Sequence, residues 1–248
     1  KPDYLWTVGF KNSNEFKWSN LANKKIKSNL FKLTINNKKF LKYTNELVQK
    51  RMEPLCVPNE VLVYEMSKKM KKFNTVVLSG EGADELFWGY DRIFKWANSI
   101  NKIKLKEFED FYCYGKHEDN EIIDYAISNL PGKKPINKIN YFMQVYHLHG
   151  LLRRLDNSTM VASVEARVPF VDHRLVQLVT GTSFNWKMRN KVKSPLKRIY
   201  KNLIDTKILN RKKIGFVTPL SEIFDNNEPY SKWFDYNINS LNKCLKKF

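Results

Sequence analysis

The stretch Thr75-Val76-Val77-Leu78-Ser79-Gly80-Glu81-Gly82-Ala83-Asp84-Glu85-Leu86-Phe87-Trp88-Gly89-Tyr90 decides the fold, because a short apolar run enters a glycine turn and leaves as a helix. Residues 75–78 read as a buried strand, Ser79 to Gly82 as the strand-to-helix turn, and Ala83 to Phe87 as the first turns of a helix. In open α/β sheets, ligands bind at such turns. Gly80 and Gly82 permit close approaches that a side chain blocks, and the N–H groups at the helix start attract phosphate oxygens. Glu81, Asp84 and Glu85 add the negative charge that a magnesium ion needs. The pattern points to a nucleotide and metal site.

Working outward, Leu5 to Phe10 and Leu30 to Ile35 have strand character, and Phe16, Trp18, Leu21 and Ile26 between them have helical spacing. Residues 40–52 read as a helix, Pro54 and Pro58 punctuate a loop, and Val61 to Met70 suit an amphipathic helix leading into residues 75–78. Three βα steps before residue 90 imply a parallel sheet with crossover helices. After Tyr90 no strand is expected, and residues 93–205 read as mostly helical with a break at Pro131-Gly132. The fold class is therefore α/β: a parallel-sheet portion over 1–92 and a largely helical portion over 93–248.

A chain of 248 residues with 42% hydrophobic content can bury a sizeable core. No apolar run approaches the roughly 20 residues that span a bilayer, so no membrane association is expected. Cys56, Cys113 and Cys244 are odd in number and widely spaced, which indicates neither a disulfide framework nor a zinc site and fits a reducing cytoplasm. His147 and His149 are two apart and share no helix face, so they are not expected to form a metal site. The net charge of +19 raises the question of a nucleic-acid partner. Lysine far outnumbers arginine, asparagine is abundant and base-stacking motifs are absent, so solvated lysine-rich faces are the favoured reading and no nucleic-acid partner is expected. The chain opens on Lys1 rather than methionine, and a fragment or processed product is the expectation.

Three further segments matter: Leu152-Arg153-Arg154-Leu155-Asp156-Asn157 leading to Met160 through Glu165-Ala166-Arg167-Val168-Pro169-Phe170-Val171-Asp172, then Lys193-Ser194-Pro195-Leu196-Lys197-Arg198, then Arg211-Lys212-Lys213-Ile214-Gly215-Phe216. In this order, with residues 78–90, they resemble the synthetase domain of glutamine-dependent asparagine synthetases, relatives of β-lactam synthetases and lasso-peptide cyclases. The resemblance covers nearly all of 1–248. It implies a parallel sheet of the PP-loop ATP pyrophosphatase type. It also implies ATP and Mg2+ as cofactors, with aspartate and ammonia or glutamine as substrates. In that chemistry a carboxylate is activated on the α-phosphate of ATP with loss of pyrophosphate, and ammonia then displaces AMP.

By the same resemblance, Val8 holds the adenine ring through its backbone, Ser79 and Gly80 contact the nucleotide, and Asp84 is a magnesium ligand. Glu81 lies near the acyl-adenylate as a catalytic residue, and Lys213 stabilises negative charge on the reacting oxygens. Structural alternatives stand beside these. Asp84 and Glu85 also favour the positive end of a helix dipole, Gly82, Gly89 and Tyr90 serve equally as packing positions, and Glu165 and Arg167 are expected to pair with each other or neighbouring charges. A pyrophosphate loop of the S-G-G-L-D-S-S type and an N-terminal glutaminase domain are absent from these residues. They are expected upstream in a longer parent or on another polypeptide, and a homo-oligomer is a further possible partner. The alternatives are a related adenylating amidotransferase with a different acceptor, and a non-catalytic truncated paralogue.

Overall fold

A computed structural model of the chain describes residues 1–113, 121–189, 192–224 and 227–246. The chain divides into two compact units, one formed by 1–77, 154–166 and 201–248 and the other by 78–153 and 167–200.

In the first unit, β1 (Tyr4–Phe10) runs into α1 (Phe16–Ile26) and β2 (Asn29–Ile35), and the two strands pair in parallel with Val8 opposite Leu33. α2 (Asn37–Arg51) starts at Asn36, whose side chain accepts from the Lys39 amide, and ends on Met52 in the left-handed conformation. α3 (Glu60–Met70) begins where the Glu60 carboxylate accepts from the Cys56 amide at 2.6 Å and the Val57 amide at 3.1 Å. Glu60 is fully buried and ion-paired to Arg51, which also pairs with Glu53. A C-terminal helix, Pro229–Leu245, packs along α2 and buries Trp233. Its buried Asn237 accepts from the Leu55 amide at 3.1 Å and donates to the Leu55 carbonyl at 2.7 Å. Val8, Phe10, Ile35, Phe40, Leu47, Leu62 and Trp233 form one cluster. Each such side chain contributes about 1.5–3 kcal/mol on leaving water.

In the second unit the core joins Trp88, Ile93, Phe94, Phe108, Ile139, Phe142 and Met188, with a smaller cluster of Leu86, Phe87 and Val179. α4 (Ala83–Phe87) is one and a half turns long, and the rest of this unit is mostly helical, as expected from the sequence.

Two expectations need correction. A strand does follow Tyr90: β4 (Glu165–Arg167) pairs with β3 (Val76–Leu78), and these form a two-stranded sheet separate from β1 and β2. Its three residues carry no β-branched or aromatic side chain, and pairing with a sequence-distant strand creates it. Nor is β3 buried, since Val76 and Leu78 are exposed, Leu78 by 68%. A three-residue strand with one described neighbour has no second strand to flank it. No helix among the described residues is long and apolar enough to cross a membrane.

Candidate active site

Ser79 leaves β3 with its amide donating to the Arg167 carbonyl at 2.8 Å, and the Glu81 amide turns back to the Ser79 hydroxyl at 3.4 Å. Gly80 is exposed, with open space where a Cβ would stand. Gly82 takes φ +90°, and a Cβ there would lie 2.6 Å from Val171 Cγ2. Position 82 therefore excludes a side chain twice over, by backbone angle and by packing. The turn places Ser79, Gly80, Glu81 and Asp84 within one loop and the first helical residues.

Asp84 and Glu85 are chain neighbours in opposite surroundings. The Asp84 carboxylate is a quarter exposed and forms an ion pair with Lys193 Nζ at 2.9 Å. Both groups lie against Gly89, where a Cβ would stand 1.5 Å from Asp84 Oδ1 and 2.6 Å from Lys193 Cε. Glu85 is buried and accepts from the Tyr90 hydroxyl at 2.6 Å. That hydroxyl also lies 3.2 Å from His147 Nε2, and the Tyr112 hydroxyl lies 3.1 Å from His147 Nδ1. His147 ends a π-helical turn, Met143–His147, a local widening that recurs at functional positions. Burial pushes the Glu85 carboxyl above the usual carboxylate range, against the Tyr90 hydrogen bond, which lowers it. Burial and the Glu85 charge push the Tyr90 phenol far up, so it remains a donor at neutral pH.

Trp88 closes α4 in the left-handed conformation, stacks on Phe94 at 4.7 Å and donates from Nε1 to Asn140 at 2.7 Å. Lys187 Nζ lies 4.6 Å from the Trp88 ring centre. This lysine is fully buried, its ammonium has no hydrogen-bond partner among the described residues, and burial lowers its pKa to about 8.

In the first unit, a cleft of about 530 Å³ opens beside the end of β1 and is lined by Thr7, Val8, Glu15, Met66, Gly215 and Phe216 among others. Asn14, also in its lining, donates to the Phe10 carbonyl at 2.9 Å and the Lys11 carbonyl at 3.0 Å. Lys213 is exposed and directly precedes Ile214 to Val217, the irregular stretch that also lines the cleft. Arg211 anchors that segment: its guanidinium meets Glu15 at 2.5 and 2.7 Å and stacks over Trp18 at 4.7 Å. Val8 and the Lys213 segment thus belong to the first unit, while Ser79, Gly80, Glu81 and Asp84 belong to the second.

A model of the family described as asparagine synthase matches residues 5–245. The chain belongs to the asparagine synthase family. It is 27% identical over 232 residues to asparagine synthetase (glutamine-hydrolyzing) 3 of Bacillus subtilis, covering 85% of this chain and 37% of that protein. It is 25% identical over 237 residues to asparagine synthetase (glutamine-hydrolyzing) 1 of the same organism, covering 72% and 36%. Against asparagine synthetase (glutamine-hydrolyzing) 2 of Oryza sativa it is 33% identical over 137 residues, covering 55% and 17%. The chain spans about a third of the length of the two Bacillus proteins.

Among the described residues no group of three or more acidic, histidine or cysteine side chains stands ready to hold a metal ion, and Asp84 offers a single carboxylate. Magnesium is usually held through one or two carboxylates together with substrate phosphates rather than in an all-protein cage. A single, partly exposed carboxylate beside a glycine turn fits an ion that arrives with a nucleotide. Lys193 and His147 received no role from sequence. Lys193 sits in the quoted Lys-Ser-Pro segment, and its backbone is left-handed at φ 55°, as it is at Lys27, Met52, Trp88 and Ser163.

Proposed function

We propose that this chain is part of the synthetase half of an ATP-dependent enzyme that amidates aspartate to asparagine, using ammonia derived from glutamine. The observation that carries the reading is the acid-bearing turn at the end of β3, with the Asp84 carboxylate on the side-chain-free surface of Gly89. The cleft beside β1 supports it, since its volume lies within the range of small-molecule sites. The Bacillus subtilis and rice relatives support the substrate assignment, being named glutamine-hydrolysing asparagine synthetases.

In this reading the aspartate side-chain carboxylate attacks the α-phosphorus of ATP and pyrophosphate leaves, giving a β-aspartyl-adenylate. Ammonia then attacks the activated carbonyl, AMP departs, and the nitrogen loses a proton. Magnesium, when bound, supplies charge neutralisation to the polyphosphate. Asp84 would hold that ion, and Ser79 and Gly80 would border the phosphates. Glu81 orients the incoming ammonia and takes its proton, while Lys213 offsets charge growing on the reacting oxygens. The Val8 backbone contacts the adenine in the β1 cleft.

The test uses protein expressed from the full coding sequence. Aspartate-dependent release of pyrophosphate and AMP, with asparagine formed from ammonia or glutamine, is the expected result. Folded protein that releases no pyrophosphate with aspartate, magnesium and ATP overturns the assignment. Release with a different carboxylate redirects it to a related adenylating amidotransferase.

A further inference from the structure

We infer that Lys193 is the resident counter-ion of the Asp84 carboxylate, so that a divalent cation enters this site by displacing an ammonium rather than by filling an open position. The inference rests on the reading of Asp84 as a magnesium ligand, and it adds a control on when that ligand becomes available.

Four features converge. The Lys193 ammonium lies 2.9 Å from Asp84 Oδ1, and each side chain is about a quarter exposed, so the pair is only partly screened. Gly89 removes the Cβ that would collide with both groups, which brings carboxylate and lysine stem together. Lys193 holds a left-handed backbone at φ 55°, an unusual conformation for a lysine. It immediately precedes the short helix Ser194–Ile199, whose Pro195 fixes the chain direction there. The lysine stem is thus delivered to Asp84 by a constrained backbone rather than swinging in from solvent.

The consequence is selectivity for the ion in company. A bare dication meets an ammonium already neutralising the carboxylate, and must pull the two apart. A dication arriving with a polyphosphate gives the displaced ammonium a new anionic partner. Ion and phosphate then bind with positive coupling, and the coupling is reciprocal. The site therefore takes a free divalent cation weakly and the nucleotide-borne one more readily.

Mn2+ is the probe, with its binding followed by electron paramagnetic resonance in the full-length protein, with and without inorganic pyrophosphate. Lys193→Gln is expected to tighten binding of Mn2+ alone at least tenfold over wild type, and to shrink the enhancement that pyrophosphate produces. Adding Asp84→Asn to Lys193→Gln should abolish the gain. Lys193→Met tests the same charge loss should the glutamine variant fail to fold. In the wild-type protein, acetylation of Lys193 by an N-hydroxysuccinimide ester, read by mass spectrometry, should rise severalfold when Mn2+ is added. Equal Mn2+ affinity in folded wild type and lysine variant, a gain that survives Asp84→Asn, or acetylation indifferent to saturating Mn2+ each overturns the inference. None of these readouts depends on aspartate. If exchange is seen without aspartate activation, the reaction assignment alone falls; aspartate activation without exchange removes only the counter-ion role.

Discussion

The charges around Glu60 and those around Asp84 are built on different plans. At the start of α3, Glu60 is sealed from water and every interaction is short and internal: two backbone amides and the Arg51 guanidinium, itself shared with Glu53. At the start of α4, Asp84 keeps a quarter of its side chain in solvent and its ion-pair partner is a lysine on a distant segment. The first arrangement is closed, because no group there can leave without stranding another. The second is exchangeable. A carboxylate that shapes the fold is locked in place; under the proposal that Asp84 meets an ion, its lysine partner is one that can be displaced.

Breaking the closed cluster should have the largest effect on stability. Arg51→Ala leaves the Glu60 carboxylate buried without its counter-charge, and loss of one partner from such a pair costs about 3–5 kcal/mol. The urea midpoint should fall accordingly, with the slope of the transition unchanged. A small decrease would place the Glu60 charge in water and dissolve the contrast with Asp84.

Lys187 is a third case, a buried charge with neither plan. Its ammonium faces the Trp88 ring, and its pKa is lowered to about 8 by burial. The unfolded chain holds that proton up to about pH 10.4. Between about pH 8 and pH 10.4 the unfolded state therefore binds more proton, and this residue's contribution to stability rises with pH, by on the order of 3 kcal/mol. Below about pH 8 both states are protonated and the penalty is constant. Lys187→Met should raise the melting temperature at pH 7 and abolish that rise, which melting curves of the two proteins across pH 7–11 will show.

The two turn glycines sharpen the comparison further. Gly82→Ala places a Cβ on a φ of +90° and 2.6 Å from a methyl of the half-buried Val171, whose short branched side chain has little room to turn away, and should cost roughly 1–3 kcal/mol in denaturant unfolding. At Gly89 the atoms in the way are the ends of the Asp84 and Lys193 side chains, which can shift. Gly89→Ala should therefore cost less than Gly82→Ala in stability while pushing the carboxylate from its place, seen as weaker Mn2+ binding.

Much of this was legible in the sequence, and the failures share a cause. β1 and β2 stand within a residue of the expected Leu5–Phe10 and Leu30–Ile35, since β-branched and aromatic residues crowd both runs. Glycine spacing marked the turn before α4. β4 was not legible because Glu165-Ala166-Arg167 becomes a strand through pairing with β3, a tertiary event. An apolar run at 76–78 resembles a buried strand whether or not neighbours flank it. Lys193 beside Asp84, and His147 beside Tyr90 and Glu85, meet through chain folding over long separations, so no local pattern announces them.

Asp84→Asn should have the smallest effect on stability and a large one on chemistry, which makes it the sharpest test of the contrast. Partly exposed ion pairs contribute about 0–1 kcal/mol, so the folded protein should tolerate the change almost silently. The amide keeps the volume beside Gly89 and still presents an oxygen to Lys193. What it lacks is the negative charge that attracts a dication. Pyrophosphate release should fall at least a hundredfold, on the scale of losing one preorganised electrostatic contact in a reacting site, while the melting temperature moves by a few degrees at most. Were stability to drop as far as it does in Arg51→Ala, Asp84 would belong with Glu60 as an element of the fold. The exchangeable plan would then lose its one carboxylate.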